Sequence, residues 1–208
     1  MIIGHNKGVK MIHHYINKIY LKFILLTFIF LNFTSMANAF TSPGIVFSPM
    51  IGYYNYNDDY KNTTASPAQD QRSHFLYDIR MGYLFNTKLK FYLGLIYSAM
   101  KRDYTPGTIQ RISAGASAGF AANNFAIMVH FFPWSEYNSP NFRASDGVGF
   151  QLDAGYYAPL SKAFSLGMQF TYRNITYNTY TPVGSTTGQS KVITEEEYLP
   201  MIGCAIIF

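Results

Sequence analysis

The strongest constraint on this chain is a pattern in which apolar side chains occupy every second place over stretches of about 10–13 residues, repeated with turn-like breaks between them. A strand sends successive side chains to opposite faces, so each stretch has one apolar and one polar side. The stretch from His74 to Phe85 is the cleanest. It sets Phe75, Tyr77, Ile79, Met81, Tyr83 and Phe85 against His74, Asp78, Arg80 and Gly82. Leu89, Phe91, Leu93, Leu95 and Tyr97 oppose Lys90, Tyr92, Gly94 and Ser98 in the next. Further along, Phe125, Ile127, Val129 and Phe131 oppose Ala126, Met128 and His130. Val148, Phe150, Leu152, Ala154 and Tyr156 then oppose Gly149, Gln151, Asp153 and Gly155. Phe164, Leu166, Met168, Phe170 and Tyr172 oppose Ser165, Gly167, Gln169, Thr171 and Arg173. The last stretch sets Tyr198, Ile202, Cys204, Ile206 and Phe208 against Glu197, Gly203 and Ala205. Two stretches are weaker: Ile45 to Asn57 begins apolar on both faces, and Ile109 to Phe120 is built of small residues with Arg111 and Ser113 on its inner side.

Eight such strands make an even number and an up-and-down antiparallel barrel. In a soluble sandwich the polar faces would look outward to water. Here Gly82, Gly94, Gly149, Gly155, Gly167 and Gly203 share the polar face with Asp, Arg and Gln, which suits the crowded inside of a narrow barrel. The apolar faces then meet lipid. A soluble eight-stranded lipocalin is excluded on the same ground, because its outer surface must be polar. Composition agrees. Charged residues are only 13% of the chain, about half the share usual in soluble domains, and aromatics reach 18%. An expected pair of aromatic girdles has Tyr83, Phe85, Phe91, Phe125, Phe164 and Phe208 at one interface. Tyr77, Tyr97, Trp134, Tyr172 and Tyr198 help ring the other.

The connections alternate in length. Residues 86–88, 121–124 and 159–162 read as short turns; 58–73, 102–108, 135–146 and 178–194 read as longer polar loops. Short periplasmic turns and longer external loops are the rule for such barrels. Pro49 and Pro200 fall within the first and last strands. Proline cannot donate to a ladder, so an irregular seam is expected where those two strands close the ring.

Before all of this lies Phe23 to Phe33, an apolar run too short for a bilayer-spanning helix, which needs roughly 20 residues. Lys7, Lys10, Lys18 and Lys22 precede it and Met36-Ala37-Asn38-Ala39 follows it. That order is the signature of a secretory signal peptide cleaved before Phe40. The expected division is residues 1–39 as signal peptide and 40–208 as barrel, with Met11 an alternative start. All 11 acidic residues lie after Ala39, against 12 basic ones once those four lysines are set aside from the total of 16. The barrel part is nearly neutral, and nucleic acid is not an expected partner. The single cysteine, Cys204, allows no internal disulfide. No cofactor or metal site is expected. Asn-x-Thr sequons at Asn62 and Asn174 are read as chance.

The alternating last strand ends on Phe208, and the run at 156–162 is Tyr-Tyr-Ala-Pro-Leu-Ser-Lys. In these features the stretch from Phe40 to Phe208 resembles the small eight-stranded outer-membrane barrels of the OmpX, opacity-protein and OmpA-barrel type. The resemblance implies a bacterial outer-membrane location among lipids and lipopolysaccharide. It also implies recognition of the C-terminal strand by the barrel-assembly machinery, and an external ligand that loops would choose. Adhesins, structural anchors, a few lipid-modifying enzymes and a small-molecule channel belong to that class. The His-x-Ser pair of its lipid A deacylases is absent. His74 with Ser73 and Asp70 is only a loose echo of the palmitoyl-transferring type.

The inward charges decide the functional reading. Asp78, Arg80, Arg111, Gln151, Asp153, Gln169, Arg173 and Glu197 would share a lumen only wide enough for side chains to fill it. Burying charges singly is costly, so they should pair into a plug. Counting back from the last loop makes Arg173 and Glu197 diagonal neighbours near the outer end, with Asp78, Arg80, Gln151 and Asp153 forming a second cluster at mid-height. The expected protein is non-enzymatic, structural or adhesin-like through its loops. A small channel for ions or apolar solutes is the alternative, and a lipid-modifying enzyme a third.

Overall fold

The computed structural model describes residues 39–40, 42–59, 69–86, 89–104 and 107–208. The proposed signal segment, except Ala39, and the sequon at Asn62 lie outside the described residues.

The alternating segments form eight strands: β1 (Gly44–Asp59), β2 (Gln69–Phe85), β3 (Lys90–Tyr104), β4 (Gly107–Ala122), β5 (Phe125–Asn138), β6 (Phe142–Pro159), β7 (Phe164–Pro182) and β8 (Gln189–Ile207). Each pairs antiparallel with its neighbours in chain order, and β8 returns to β1 to close the ring. The outward set is apolar and exposed, with Leu93, Leu95, Ile127, Leu152, Phe170 and Ile202 among its members. A closed ring leaves no backbone edge, and with an apolar wall it is the form in which β-structure spans a membrane. The architecture is that of a small outer-membrane barrel: all-β, eight up-and-down strands.

The strands are longer than the apolar pattern suggests. They run 14–19 residues, and β7 and β8 continue to Pro182 and from Gln189, well into the stretch read as loop. Loss of apolar alternation marks where the lipid ends, not where pairing ends. Thr, Tyr and Asn continue the hairpins as polar ribbons beyond it. Tyr137 stacks on Phe142 at 5.7 Å there, and Phe142 packs on Tyr180 at 4.9 Å. At the other end Asn123 takes φ 53° in the tight turn between β4 and β5, a conformation Asn tolerates better than most residues.

Two interruptions of the ladders carry consequences. Between β4 and β5, Ala114 pairs with Trp134 but Ala116 pairs with Phe131, so one extra residue sits in β5. Pro133, which has no amide hydrogen, lies in that bulge. The result is that Phe132 points inward and is fully buried, Pro133 and Trp134 both look outward, and Ser135 turns in again. The second lies at the seam. Pairing of β1 with β8 holds at Val46↔Ile207 and Phe47↔Ile206, lapses at Ser48 and Pro49, resumes at Met50↔Gly203 and Ile51↔Ile202, and goes no higher. Pro200 lies opposite Tyr53 in the continuation of that register, just beyond the last pair.

Candidate functional site

The inner faces of all eight strands converge on the lumen, which is filled in layers. At the short-turn end Val46, Leu84, Tyr92, Met128, Tyr157 and Ile207 form an apolar floor together with Ala39 and Phe40. The Ala39 amide donates to Asn124 Oδ1 at 3.0 Å, and the Phe40 ring meets the Tyr157 ring edge-on at 5.2 Å. The chain entering β1 thus folds under the barrel and stops its mouth. Glycine makes room for the tyrosines. A Cβ on Gly94 would stand 2.5 Å from the Tyr92 hydroxyl and 2.6 Å from Gly82 Cα, and one on Gly167 would stand 2.5 Å from the Tyr157 ring.

Above the floor lies the polar layer. Arg173 donates to both Asp78 oxygens, at 2.9 and 3.1 Å, and through Nε to Gln151 Oε1 at 2.7 Å. Gln151 returns its amide to Asp78 at 2.8 Å and to Asp153 at 2.9 Å. Arg80 stands 3.4 Å from Asp153 and donates to Gln169 Oε1 at 2.5 Å. Thr171 donates to Asp153 Oδ1 at 2.8 Å. Apolar patches flank this layer: Met50, Leu76, Met100, Leu199 and Met201 behind the seam, and Ile96, Phe132, Ile175 and Tyr177 across from them.

The outer end carries a second ionic cluster. Arg111 holds Glu195 and Glu197, each at 2.8 Å. Arg102 lies 3.4 Å from both, and His74 Nε2 lies 3.3 Å from Glu197. Among the described luminal side chains these give four arginines, 80, 102, 111 and 173, against four carboxylates, 78, 153, 195 and 197. The charges balance, as a dry interior requires.

All eight side chains read from the sequence as inward (Asp78, Arg80, Arg111, Gln151, Asp153, Gln169, Arg173 and Glu197) are buried. Their pairing differs from the hairpin count. Arg173 and Glu197 are direct partners across β7 and β8, because the hairpin turns earlier than the middle of 178–194, pairing Tyr180 with Gln189, and a one-residue shift between Tyr177 and Thr179 then sets Glu197 opposite Arg173. They stand 3.5 Å apart at the closest, farther than Arg173 from Asp78 or Glu197 from Arg111. Arg173 therefore belongs to the mid-height group. The pairing it makes, β7 to β2, crosses the lumen and is invisible to neighbouring-strand arithmetic.

Counting alone also missed a buried chain of three. Ser117 Oγ lies 2.6 Å from His130 Nδ1, and His130 Nε2 lies 2.8 Å from Asp153 Oδ2. With Asp153 ionised, Nε2 carries the proton and Nδ1 accepts from Ser117. The residue types match a hydrolytic triad, but Ser117 and His130 are buried between the floor and the apolar patches, with Arg80 over Asp153. A nucleophile must be reached by substrate, and this serine is not. The His74, Ser73 and Asp70 echo is not assembled. His74 turns inward to Glu197 while its neighbour Ser73 lies on the opposite strand face; the Asp70 side chain lies outside those described.

On the outer wall Tyr83 meets Phe85 at 4.9 Å, Phe85 meets Phe91 at 6.0 Å and Phe125 meets Tyr156 at 5.1 Å, all toward the short turns. Phe164 lies opposite Ile206, and Phe208 follows the last strand, exposed. Higher up, Tyr77 approaches Tyr97 at 6.2 Å and Tyr172 approaches Tyr198 at 4.9 Å, while Trp134 stands exposed above the β5 bulge. Tyr172 and Tyr198 both donate to Glu196 Oε1, at 2.9 and 2.8 Å. That outward carboxylate marks where the apolar wall gives way to polar residues.

No family model matches the sequence, and no curated protein matches it. Among solved structures it is similar to the translocator domain of the autotransporter NalP from Neisseria meningitidis, at 12% identity and TM-score 0.43 over 95% of this chain and 70% of that one. It is also similar to the outer-membrane protease OmpT from Escherichia coli, at 8% identity and TM-score 0.38 over 80% of this chain and 96% of that one. A third, OmpT, an outer membrane protein of Vibrio cholerae, gives 12% identity and TM-score 0.34 over 81% of this chain and 52% of that one. Likeness at these scores carries no inference about activity.

Proposed function

We propose that this chain is a non-enzymatic protein of the bacterial outer membrane, anchored by a plugged barrel and acting through the hairpins it presents outside the cell. The observation that carries this reading is the lumen. Four arginines and four carboxylates neutralise one another across it, and an apolar floor closes its lower end. No wide aqueous path fits through an interior packed in this way. The partners that follow are lipids and lipopolysaccharide around the wall, the assembly machinery at the C-terminal strand, and an external ligand for the hairpins. On this reading a signal peptide is removed before Phe40, which takes Ala39 and its bond to Asn124 away and leaves Phe40 against Tyr157 in the floor of the mature protein.

Single-channel recording of purified protein in planar bilayers tests the plug. Steady, large openings would promote the channel reading in its place. A lipid A mass spectrum from cells with and without the gene tests for enzymatic modification, which the proposal expects to be absent. N-terminal sequencing of the membrane-bound protein should begin at Phe40; recovery of residues 11–30 would overturn the cleaved precursor.

A further inference from the structure

Removal of a signal peptide before Phe40 changes the floor of the barrel at one atom. Asn124 is fixed on two sides: its backbone carbonyl accepts from the Tyr157 amide at 2.7 Å, and its Nδ2 donates to the Tyr156 hydroxyl at 3.3 Å. The residue is buried, and among the described residues the donor to its Oδ1 is the Ala39 amide at 3.0 Å. Cleavage carries that donor away. A buried oxygen left without a donor is unfavourable, so another must take its place.

The same cleavage makes one. It frees the α-amino group of Phe40, the residue bonded to Ala39. The Phe40 ring has contacts of its own that do not depend on Ala39. It meets Tyr157 edge-on at 5.2 Å and shares one buried cluster with Val46, Leu84, Tyr92 and Ile207. Asn124 and Tyr157 thus form a two-point receptor, tied together by a backbone bond. Tyr157 takes the ring, and Asn124 takes a donor one residue away from it. Only three residues lie between Phe40 and the start of β1 at Gly44, and so short a tether keeps the amine at high local concentration. The surrounding floor is apolar and disfavours a charge. An α-amine titrates close to neutrality, so it can shed its extra proton there at little cost and still donate.

We propose that Asn124 and Tyr157 are the binding site for the N-terminus that cleavage creates: the Phe40 α-amine takes over the bond to Asn124 Oδ1, and the Phe40 ring stays as the stopper of the short-turn mouth. The ligand is the α-amine of an aromatic residue, supplied by the chain itself. The inference rests on the cleavage before Phe40 proposed above. A new N-terminus of an ordinary surface segment is open to reagents and aminopeptidases; this one is closed to both.

The test uses the whole mature barrel, begun at Phe40 by release from a fusion whose protease leaves that residue first. It is folded in detergent micelles, which leave both ends open to reagent. The N-hydroxysuccinimide ester of acetic acid is added at neutral pH, and mass spectrometry follows acetylation of the Phe40 α-amine. Lys162, exposed in the β6–β7 turn, is the internal reference. Relative to Lys162, Phe40 should react at least about tenfold more slowly in the folded barrel than in urea, as a group released only by local opening does. Asn124→Leu removes the acceptor and should bring the rate to within about twofold of that in urea, while the band shift on gels shows the barrel still folded. Asn124→Asp offers a stronger acceptor and should slow the reaction further, which keeps the test open if the leucine variant does not fold. A Phe40 amine that reacts in the folded barrel as fast as in urea refutes the site, and so does a rate that neither Asn124 variant changes. Protein isolated from cells that does not begin at Phe40 would refute the cleavage instead, since the released chain reads the site by itself.

Discussion

The Ser48 hydroxyl donates to the Cys204 carbonyl at 2.8 Å. Antiparallel ladders alternate between hydrogen-bonded and non-bonded pairs. Phe208 donates to the Ile45 carbonyl, so the phase of the β1–β8 ladder makes Pro49 the natural donor to Cys204. Proline cannot supply that hydrogen, and the side chain one residue earlier does. Ser48→Ala should leave a lipid-level carbonyl without a partner and cost about 1–3 kcal/mol. Adding Pro49→Ala restores a backbone amide and should recover much of the loss. Urea unfolding in vesicles reads both, and a double variant no better than Ser48→Ala would disprove the substitution of hydroxyl for amide.

Glu197 is the hub of the outer ionic cluster. Replacing it with Ala leaves Arg111 with Glu195 alone and weakens the hold on Arg102 and His74. A buried pair broken on one side typically costs about 3–5 kcal/mol, less where water enters. Asp78→Ala, which strips Arg173 of its closest carboxylate, should fall in the same range. Losses under about 1 kcal/mol in the same unfolding assay would mean that the lumen is wet and the pairs solvated.

The lipid face is tested by charge. Leu93 and Leu152 are both exposed on the outer wall, in β3 and β6. Arginine at either place should cost roughly 2–4 kcal/mol if the site lies at mid-bilayer. Folding into vesicles, followed by the band shift of the unheated protein on gels, measures it. Wild-type stability for Leu152→Arg would reverse the assignment of the two faces.

Gly94 has no room for a side chain. A Cβ there would also stand 2.4 Å from the Met81 carbonyl oxygen, which is backbone and cannot step aside. Gly94→Ala should therefore destabilise by about 1–3 kcal/mol, as overpacking does. The tyrosine bands in near-ultraviolet circular dichroism should change with it, because the Tyr92 ring must lift. An unchanged spectrum with unchanged stability would refute the close approach.

How much of this was readable in the sequence follows from the periodicity of strands. A period of two separates faces without knowledge of partners, so Asp78, Arg80, Arg111, Asp153, Arg173 and Glu197 could be assigned to one side directly. The same rule works against apolar residues that point inward. Leu76, Phe132, Ile175 and Leu199 are chemically like the outward set, and only the neighbours' phase tells them apart. Phe132 was hidden further by the bulge at Pro133, which resets the phase of β5. Contacts across the lumen, Arg173 with Asp78 or Arg80 with Gln169, depend on how the ring closes and leave no mark in local spacing. Ser117, His130 and Asp153 come from three consecutive strands, but their meeting depends on strand registers that spacing alone does not supply.

The partners of the luminal arginines are far apart along the chain. Arg173 and Asp78 are separated by 95 residues, Arg80 and Gln169 by 89, and Arg111 and Glu195 by 84. Ser48 and Cys204, at the join, are 156 apart. Apart from Arg173 with Glu197 on the last hairpin, the ion pairs that the described luminal arginines make join strands that are not neighbours, so a half-inserted chain would carry most of its arginines and carboxylates into the bilayer without their closest partners. Partial insertion is therefore costly at every stage short of completion, and loop closure over such spans is slow. The strands should cross the membrane together rather than hairpin by hairpin, with the charges neutralised only as the first and last strands meet.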